Sequence, residues 1–136
     1  MVRREAFLEA GGFEPRFFLG GEEELLAWDL AAAGWSLAYL ESLTVHHHPS
    51  PHRDASGRRR LLLRNALWTA WLRRPLSRAL RQTAGLARCA VHDVEAGAAL
   101  DEALRGLPWA WRHRRVLPGE VEQAVRLLES AAQSAI

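Results

Sequence analysis

The sequence predicts an α/β fragment of short strands and helices over residues 1–56, followed by an arginine-rich, mostly α-helical extension over residues 57–136. Three observations lead there. Residues 22–33 carry Leu26, Leu30 and Ala33 at helical spacing and stop at Gly34. Residues 36–41 alternate, with Leu37, Tyr39 and Glu41 set against Ala38 and Leu40. From about Gly57 onward the chain turns into Leu, Ala and Arg repeats with helical phase. A chain of 136 residues buries one core of ordinary size, so it is one domain or part of a larger one.

Residues 3–10 have helical spacing, and Gly11 and Gly12 supply the stop that a helix C-terminus favours. The helix over 22–33 follows, then a strand over 36–41 and a second short one over 44–47. Pro49 and Pro51 break regular structure there. The extension reads as helices over 57–74, 76–91, 93–105, 108–115 and 120–134, with Pro75, Gly106, Pro108, Pro118 and Gly119 as punctuation.

All 18 basic residues are arginine, and 16 acids offset them to a formal charge of +2. The distribution is uneven. Ten arginines against one acid lie between Arg53 and Arg88, and eight acids against one arginine between Glu5 and Glu41, which predicts an acidic end and a basic end. The lone Cys89 excludes an intramolecular disulfide. No run of about 18 uncharged apolar residues occurs, and MVRREAF lacks the apolar core of a secretory signal. These features predict a cytoplasmic protein, or one peripheral to the inner face of the membrane. No nucleic-acid partner is expected, because the arginines have no recognition-helix or aromatic-interleaved motif around them.

Residues 11–35, GGFEPRFFLGGEEELLAWDLAAAGW, place three carboxylates at the mouth of a helix just after a glycine-rich aromatic loop. The stretch resembles the acceptor-side motif of family-2 glycosyltransferases. Gly11, Gly12, Phe13, Glu14, Phe17, Phe18, Glu22, Glu23, Ala33, Gly34 and Trp35 carry the match. The resemblance implies the C-terminal, acceptor-side part of a GT-A catalytic domain over 1–56. It also implies an inverting transfer of a sugar from a nucleotide-diphospho sugar to an acceptor hydroxyl. Met1 and Val2 then correspond to the end of a buried strand, so the chain is expected to begin inside an element, as a fragment or split product.

Inversion needs a base that takes the acceptor proton during attack on the anomeric carbon. By resemblance Glu23 is that base and Glu22 the paired carboxylate that orients the acceptor. Glu23 stands where the family has aspartate, a change that moves the carboxylate by roughly 1 Å. Leu25 stands where many members have a further acid, and Gly20 where an aromatic is common. The plainer reading is that Glu22, Glu23 and Glu24 only complement a helix N-terminus, at about 0.3–1 kcal/mol each.

Residues 44–51, TVHHHPSP, set three histidines at the end of a predicted strand, and alternation aims His46 and His48 to one face. By resemblance His46 first, and His48 second, help hold a divalent ion, Mg or Mn, on the nucleotide diphosphate; the plainer reading is a polar turn. The family's Asp-x-Asp motif and any glycine-rich phosphate loop are absent from these residues. The chain alone is therefore expected to be inactive, or to be a non-catalytic remnant or subunit that docks with a nucleotide-binding chain. Arg58, Arg59, Arg60 and Arg64 either contact the donor diphosphate or flank a Trp and Leu packing stripe as solvated charges. Leu67, Trp68, Trp71, Leu72, Leu76 and Leu80 with Arg73, Arg74, Arg78 and Arg81 form a basic amphipathic pattern suited to an anionic membrane surface.

Overall fold

The structure, a computed structural model, describes residues 1–46, 48 and 55–134. Among the described residues there are six helices and no strand: α1 (Arg4–Glu9), α2 (Glu22–Ala32), α3 (Ala55–Arg73), α4 (Leu76–Ala90), α5 (Val94–Arg112) and α6 (Gly119–Ser134). The expected α/β character is thus corrected to all-helical for these residues. Residues 36–40 and 43–46 have no regular structure, and Leu43 N–H closes a turn onto the Leu40 carbonyl at 3.0 Å. A strand needs a neighbour for its N–H and C=O groups. Among the described residues no strand lies beside this segment, and Tyr39 is 91% exposed. Met1 and Val2, expected at the end of a buried strand, are likewise irregular and exposed. Of the expected second strand, His47 lies outside the described residues.

Where the signals are local, the chain folds as they direct. Gly34 takes φ +87°, its N–H bonds the Ala31 carbonyl at 3.0 Å, and Trp35 N–H bonds the Leu30 carbonyl at 3.0 Å. This double return satisfies the last carbonyls of α2 and is the Schellman arrangement. Trp35 folds back onto a small cluster of Ala6, Leu26 and Leu30, which fastens α1 to α2.

α3 is the central helix, with α4 and α5 against it and α2 across it. The main core gathers Phe17, Leu25, Leu67, Trp68, Leu72, Leu86 and Trp109, so residues before and after position 56 share one core. Fully burying side chains of this size contributes roughly 1.5–3 kcal/mol each. Trp68 meets Trp109 edge to face at 5.4 Å and Phe17 at 6.0 Å.

α5 is one helix where the sequence suggests two. Gly106 is not a breaker here, since a Cβ at that position would lie 2.5 Å from the Trp68 ring. The missing side chain lets α5 close on α3. Pro108 leaves the Leu104 carbonyl without its helical donor. One residue earlier, the Trp68 indole N–H donates to the Ala103 carbonyl at 3.0 Å, which fixes this stretch of α5 to the central helix.

The C-terminus of α3 is closed by residues 114–117. The Arg115 and Leu117 N–H groups donate to the Leu72 and Arg73 carbonyls at 2.8 and 2.9 Å, and the Arg114 guanidinium donates to the Trp71 and Arg74 carbonyls. These are the acceptors a helix end leaves unpaired. α6 is held by Arg74, which donates to Glu122 at 2.7 Å and to Glu129 at 2.6 Å. Both Arg74 and Glu122 are buried, so breaking that pair strands a charge and is expected to cost about 3–5 kcal/mol.

Asp93 caps α5 by accepting from Ala96 N–H at 3.0 Å, and its carboxylate also receives both Arg59 terminal nitrogens, at 3.1 and 2.5 Å. The Arg59 hydrogen bonds first, and the cap second, lower its carboxyl from 3.8 to about 2. Burial pushes the Glu122 carboxyl up, but hydrogen bonds from Arg74 and Arg126 outweigh it and hold the group below its ordinary value. Both folded-state values are depressed, so their stabilisation is present above the unfolded values and lost as pH falls. We expect the Asp93 contribution to disappear between pH 3.8 and about 2. Urea unfolding across an acid series checks this: the midpoint should fall over that window in the parent, and less steeply in Asp93→Asn.

Candidate active site

The site grows out of the loop between α1 and α2. Gly20 and Gly21 take φ +85° and +87°, and a Cβ on Gly20 would lie 2.4 Å from Leu62 Cδ2. Only glycine suits both demands. Gly21 is the residue before α2, and Glu22, Glu23 and Glu24 form the first turn. No side chain caps this turn, so its free N–H groups and the three carboxylates share one end of the helix.

Between the aromatic pair and the glycines the backbone is strained. Phe18 takes φ +60°, a conformation that costs a bulky residue about 1–2 kcal/mol, and its ring is 81% exposed. Its neighbours hold it there. Asn65 on α3 is 0% exposed, and its amide nitrogen donates to the carbonyls of Phe17 (2.9 Å), Leu19 (3.1 Å) and Gly20 (2.6 Å). Arg64 donates from Nη2 to the carbonyls of Arg16 (3.2 Å) and Phe17 (3.0 Å). It also grips the Asn65 amide oxygen from Nε (3.0 Å) and Nη2 (2.9 Å), which fixes the amide's orientation. Glu102 on α5 steadies Arg64 at 3.3 Å, and Trp68 lies under its guanidinium at 4.4 Å.

Glu23 is exposed at the mouth of α2. Glu22 is half-buried, and its Oε2 is buried without a hydrogen-bond partner among the described residues. Asp29, two turns along, is engaged by the buried Arg73, with Nη2 2.9 Å from Oδ2 and a second, shorter contact from Nε to Oδ1. That pair ties α2 to α3, so the carboxylate turn is anchored at both ends.

Arg58 and Arg59 are exposed, as the reading of solvated charges has them. Arg64, Arg73 and Arg74 are instead turned into the chain. Each satisfies acceptors elsewhere in the chain, and Arg59 and Arg60 reach Asp93 and Glu102. The expected acidic and basic ends are in fact partly folded onto each other.

His46 and His48 are exposed on the irregular segment after α2. Among the described residues, no three His, Cys, Asp or Glu side chains converge as a metal-ion ligand set. His46 and His48 would supply two donors, with the remaining ligands coming from outside the described residues.

What the sequence did not reveal is the Arg64–Asn65 clamp. Its signal was present: Asn65, Thr69 and Leu72 share the buried phase of α3, and a polar side chain at a core position requires a partner. The sequence does not name that partner, which lies 45 to 48 residues upstream.

No family model matches the chain, and no solved structure matches it. The chain is 33% identical, over 94 residues, to the N-acetylglucosaminyl-diphospho-decaprenol L-rhamnosyltransferase of Mycobacterium tuberculosis, in both the CDC 1551 / Oshkosh and the ATCC 25618 / H37Rv strains. The alignment covers 63% of this chain and 31% of those proteins, so the chain spans about a third of the relatives it matches. It is a partial homologue of a glycosyltransferase.

Removing the clamp should release the loop. Asn65→Ala leaves the Leu19 and Gly20 carbonyls without their donor and the Phe17 carbonyl with Arg64 alone, and is expected to destabilise the chain by about 3 kcal/mol. Asn65→Asp should not restore it, since a carboxylate has no N–H to give. Urea unfolding measures the loss, and hydrogen exchange at the amides of Leu19 to Leu25 should accelerate in both variants.

Proposed function

We propose that this chain forms the acceptor side of an inverting glycosyltransferase that moves a sugar from a nucleotide-diphospho sugar to an acceptor hydroxyl. The observation that carries this reading is an exposed Glu23 on the uncapped first turn of α2, held against a strained aromatic loop by Asn65 and Arg64. The partial homology to a rhamnosyltransferase supports the reaction class. That relative's name describes a lipid-diphosphate acceptor bearing a sugar, and we extend that class of acceptor to this protein.

Glu23 is proposed as the base. Its carboxylate takes the acceptor proton as the hydroxyl oxygen attacks the anomeric carbon and the nucleoside diphosphate leaves from the opposite face. Glu22 lies beside it to orient the acceptor, and its unpartnered Oε2 is available to a hydroxyl once the side chain turns. Donor binding is assigned to residues other than these, because the described residues supply no phosphate-binding loop. A divalent ion would neutralise charge on the leaving diphosphate, and His46 and His48 are proposed to help hold it beside ligands from the donor-binding portion; no step here depends on it.

In the protein that carries a donor-binding portion, Glu23→Gln should lower turnover by about 100-fold or more while donor affinity is unchanged. Normal turnover by that variant removes Glu23 from the role. Residues 1–136 alone should neither bind a nucleoside diphosphate at micromolar concentration nor transfer sugar. Calorimetric binding in that range supports instead a self-sufficient donor site.

A peripheral membrane contact is proposed for the outer face of α4. No helix among the described residues is long and apolar enough to cross a membrane. Leu76, Leu80 and Val91 are nonetheless exposed along one side of α4 and its end, flanked by the exposed Arg81 and Arg88. Sedimentation with anionic vesicles should show binding that falls steeply as salt rises, and no binding at low salt ends the idea.

A further inference from the structure

Beside the carboxylate turn, four helices enclose a second, polar cleft of about 140 Å³. α2 contributes Glu24 and Trp28, one turn apart and so on one face. α3 contributes Thr69 with a floor of alanines, the residue after it is Arg74, α4 contributes Gln82, and α6 contributes Glu129. The cleft lies outside the loop, the glycines and the Glu22–Glu23 pair of the proposed reaction centre.

Thr69 is the residue that needs explaining. It is 2% exposed, and its hydroxyl oxygen has no hydrogen-bond partner among the described residues. A helical threonine ordinarily returns its hydroxyl to the carbonyl four residues back. Thr83 does so, to Ala79 at 2.8 Å. Thr69 lines the cleft without making that bond; its oxygen is covered, so a turn of the side chain would bring the hydroxyl to a ligand, which would recover the folding free energy that an unpaired buried hydroxyl costs.

The lining selects the chemistry. Carboxylates only accept hydrogen bonds, so Glu24 and Glu129 repel a phosphate or carboxylate ligand. Arg74 does not offset them for an anion, because it is already held by Glu122 and Glu129 at 2.7 and 2.6 Å and lies 5.2 Å over the Trp28 ring. A purely apolar ligand would leave Thr69, Gln82 and Glu24 unpaired. A ligand with several hydroxyls and one C–H face meets every group: hydroxyls donate to the carboxylates and exchange bonds with Thr69 and Gln82, while the C–H face lies on Trp28 and the alanines. Glu24 and Gln82 stand exposed at the rim of the cleft, within reach of an entering ligand.

We infer that this cleft holds a neutral pyranose ring, an acceptor sugar presented one residue along α2 from Glu23. The acceptor role rests on the sugar-transfer reading; the sugar site itself does not.

The test uses the isotope-labelled chain of residues 1–136, with methyl α-D-glucopyranoside and methyl α-D-mannopyranoside as probes and glycerol and inorganic phosphate as controls. At least one glycoside should give saturable shifts at the Trp28 indole N–H and the Thr69 amide, with a Kd in roughly the millimolar range. Thr69→Val, which removes the hydroxyl and keeps the shape, should weaken binding about fivefold while leaving the urea midpoint unchanged or raised. Trp28→Leu should weaken it as well; if that variant fails to fold, Thr69→Val decides. No shift at these positions, equal response to glycerol, binding of phosphate there, or full affinity in Thr69→Val each overturns the inference. Glycoside binding that obeys the Thr69 rule, in a protein whose donor-bearing form shows no transfer, would leave a sugar site and remove its acceptor role. Transfer without any binding at the cleft would remove the cleft alone.

Discussion

Three carbonyl oxygens of the loop before α2 point at one buried amide, and much of the molecule is arranged around that convergence. Without Asn65, the carbonyls of Leu19 and Gly20 would sit against α3 with no donor, and only Arg64, on the Phe17 carbonyl, would oppose relaxation of the positive φ of Phe18. Arg64 fixes which way the amide faces by gripping its oxygen. The same logic is repeated along α3. Arg73 satisfies Asp29 on α2, and Arg74 satisfies two glutamates on α6. Guanidinium suits this work because its planar fork reaches two acceptors at fixed angles, which a lysine ammonium does not. Within a composition that resembles a basic surface, Arg64, Arg73 and Arg74 are therefore interior wiring, while most of the other arginines stay exposed.

The helices were legible where their signals are local. The α2 boundary could be read because Gly34 and the apolar spacing before it act within a few residues, and the same holds for α4 and α6. The strands were misread because alternation over residues 36–41 specifies a strand only when a partner lies alongside, and partnership is not a property of the segment. The split of α5 was misread for a related reason. Gly106 marks the close approach of Trp68, thirty-eight positions away, not an interruption of its own helix.

The candidate site divides along the same line. Glu22 and Glu23 could be placed at a helix mouth from the sequence, since an acidic turn after two glycines is a short-range pattern. The clamp that holds the turn could not, although Asn65 and Thr69 on the buried phase of α3 announce that something polar must meet them. Convergence of histidines with other ligands is also long-range. A row of three in sequence does not specify it, and His47 of that row lies outside the described residues.

The closure of α3 by residues 114–117 has a consequence in time. A nascent chain emerging from the ribosome can form α2 and its Gly34 stop at once, but the loop before it waits for Asn65 to appear. The Leu72 and Arg73 carbonyls wait longer, until Arg115 and Leu117 have been made. Contacts this distant in sequence raise the contact order and slow the final step of folding. The proposed reaction centre is therefore encoded by residues 11–35 and completed only after residues 114–117 have been synthesised.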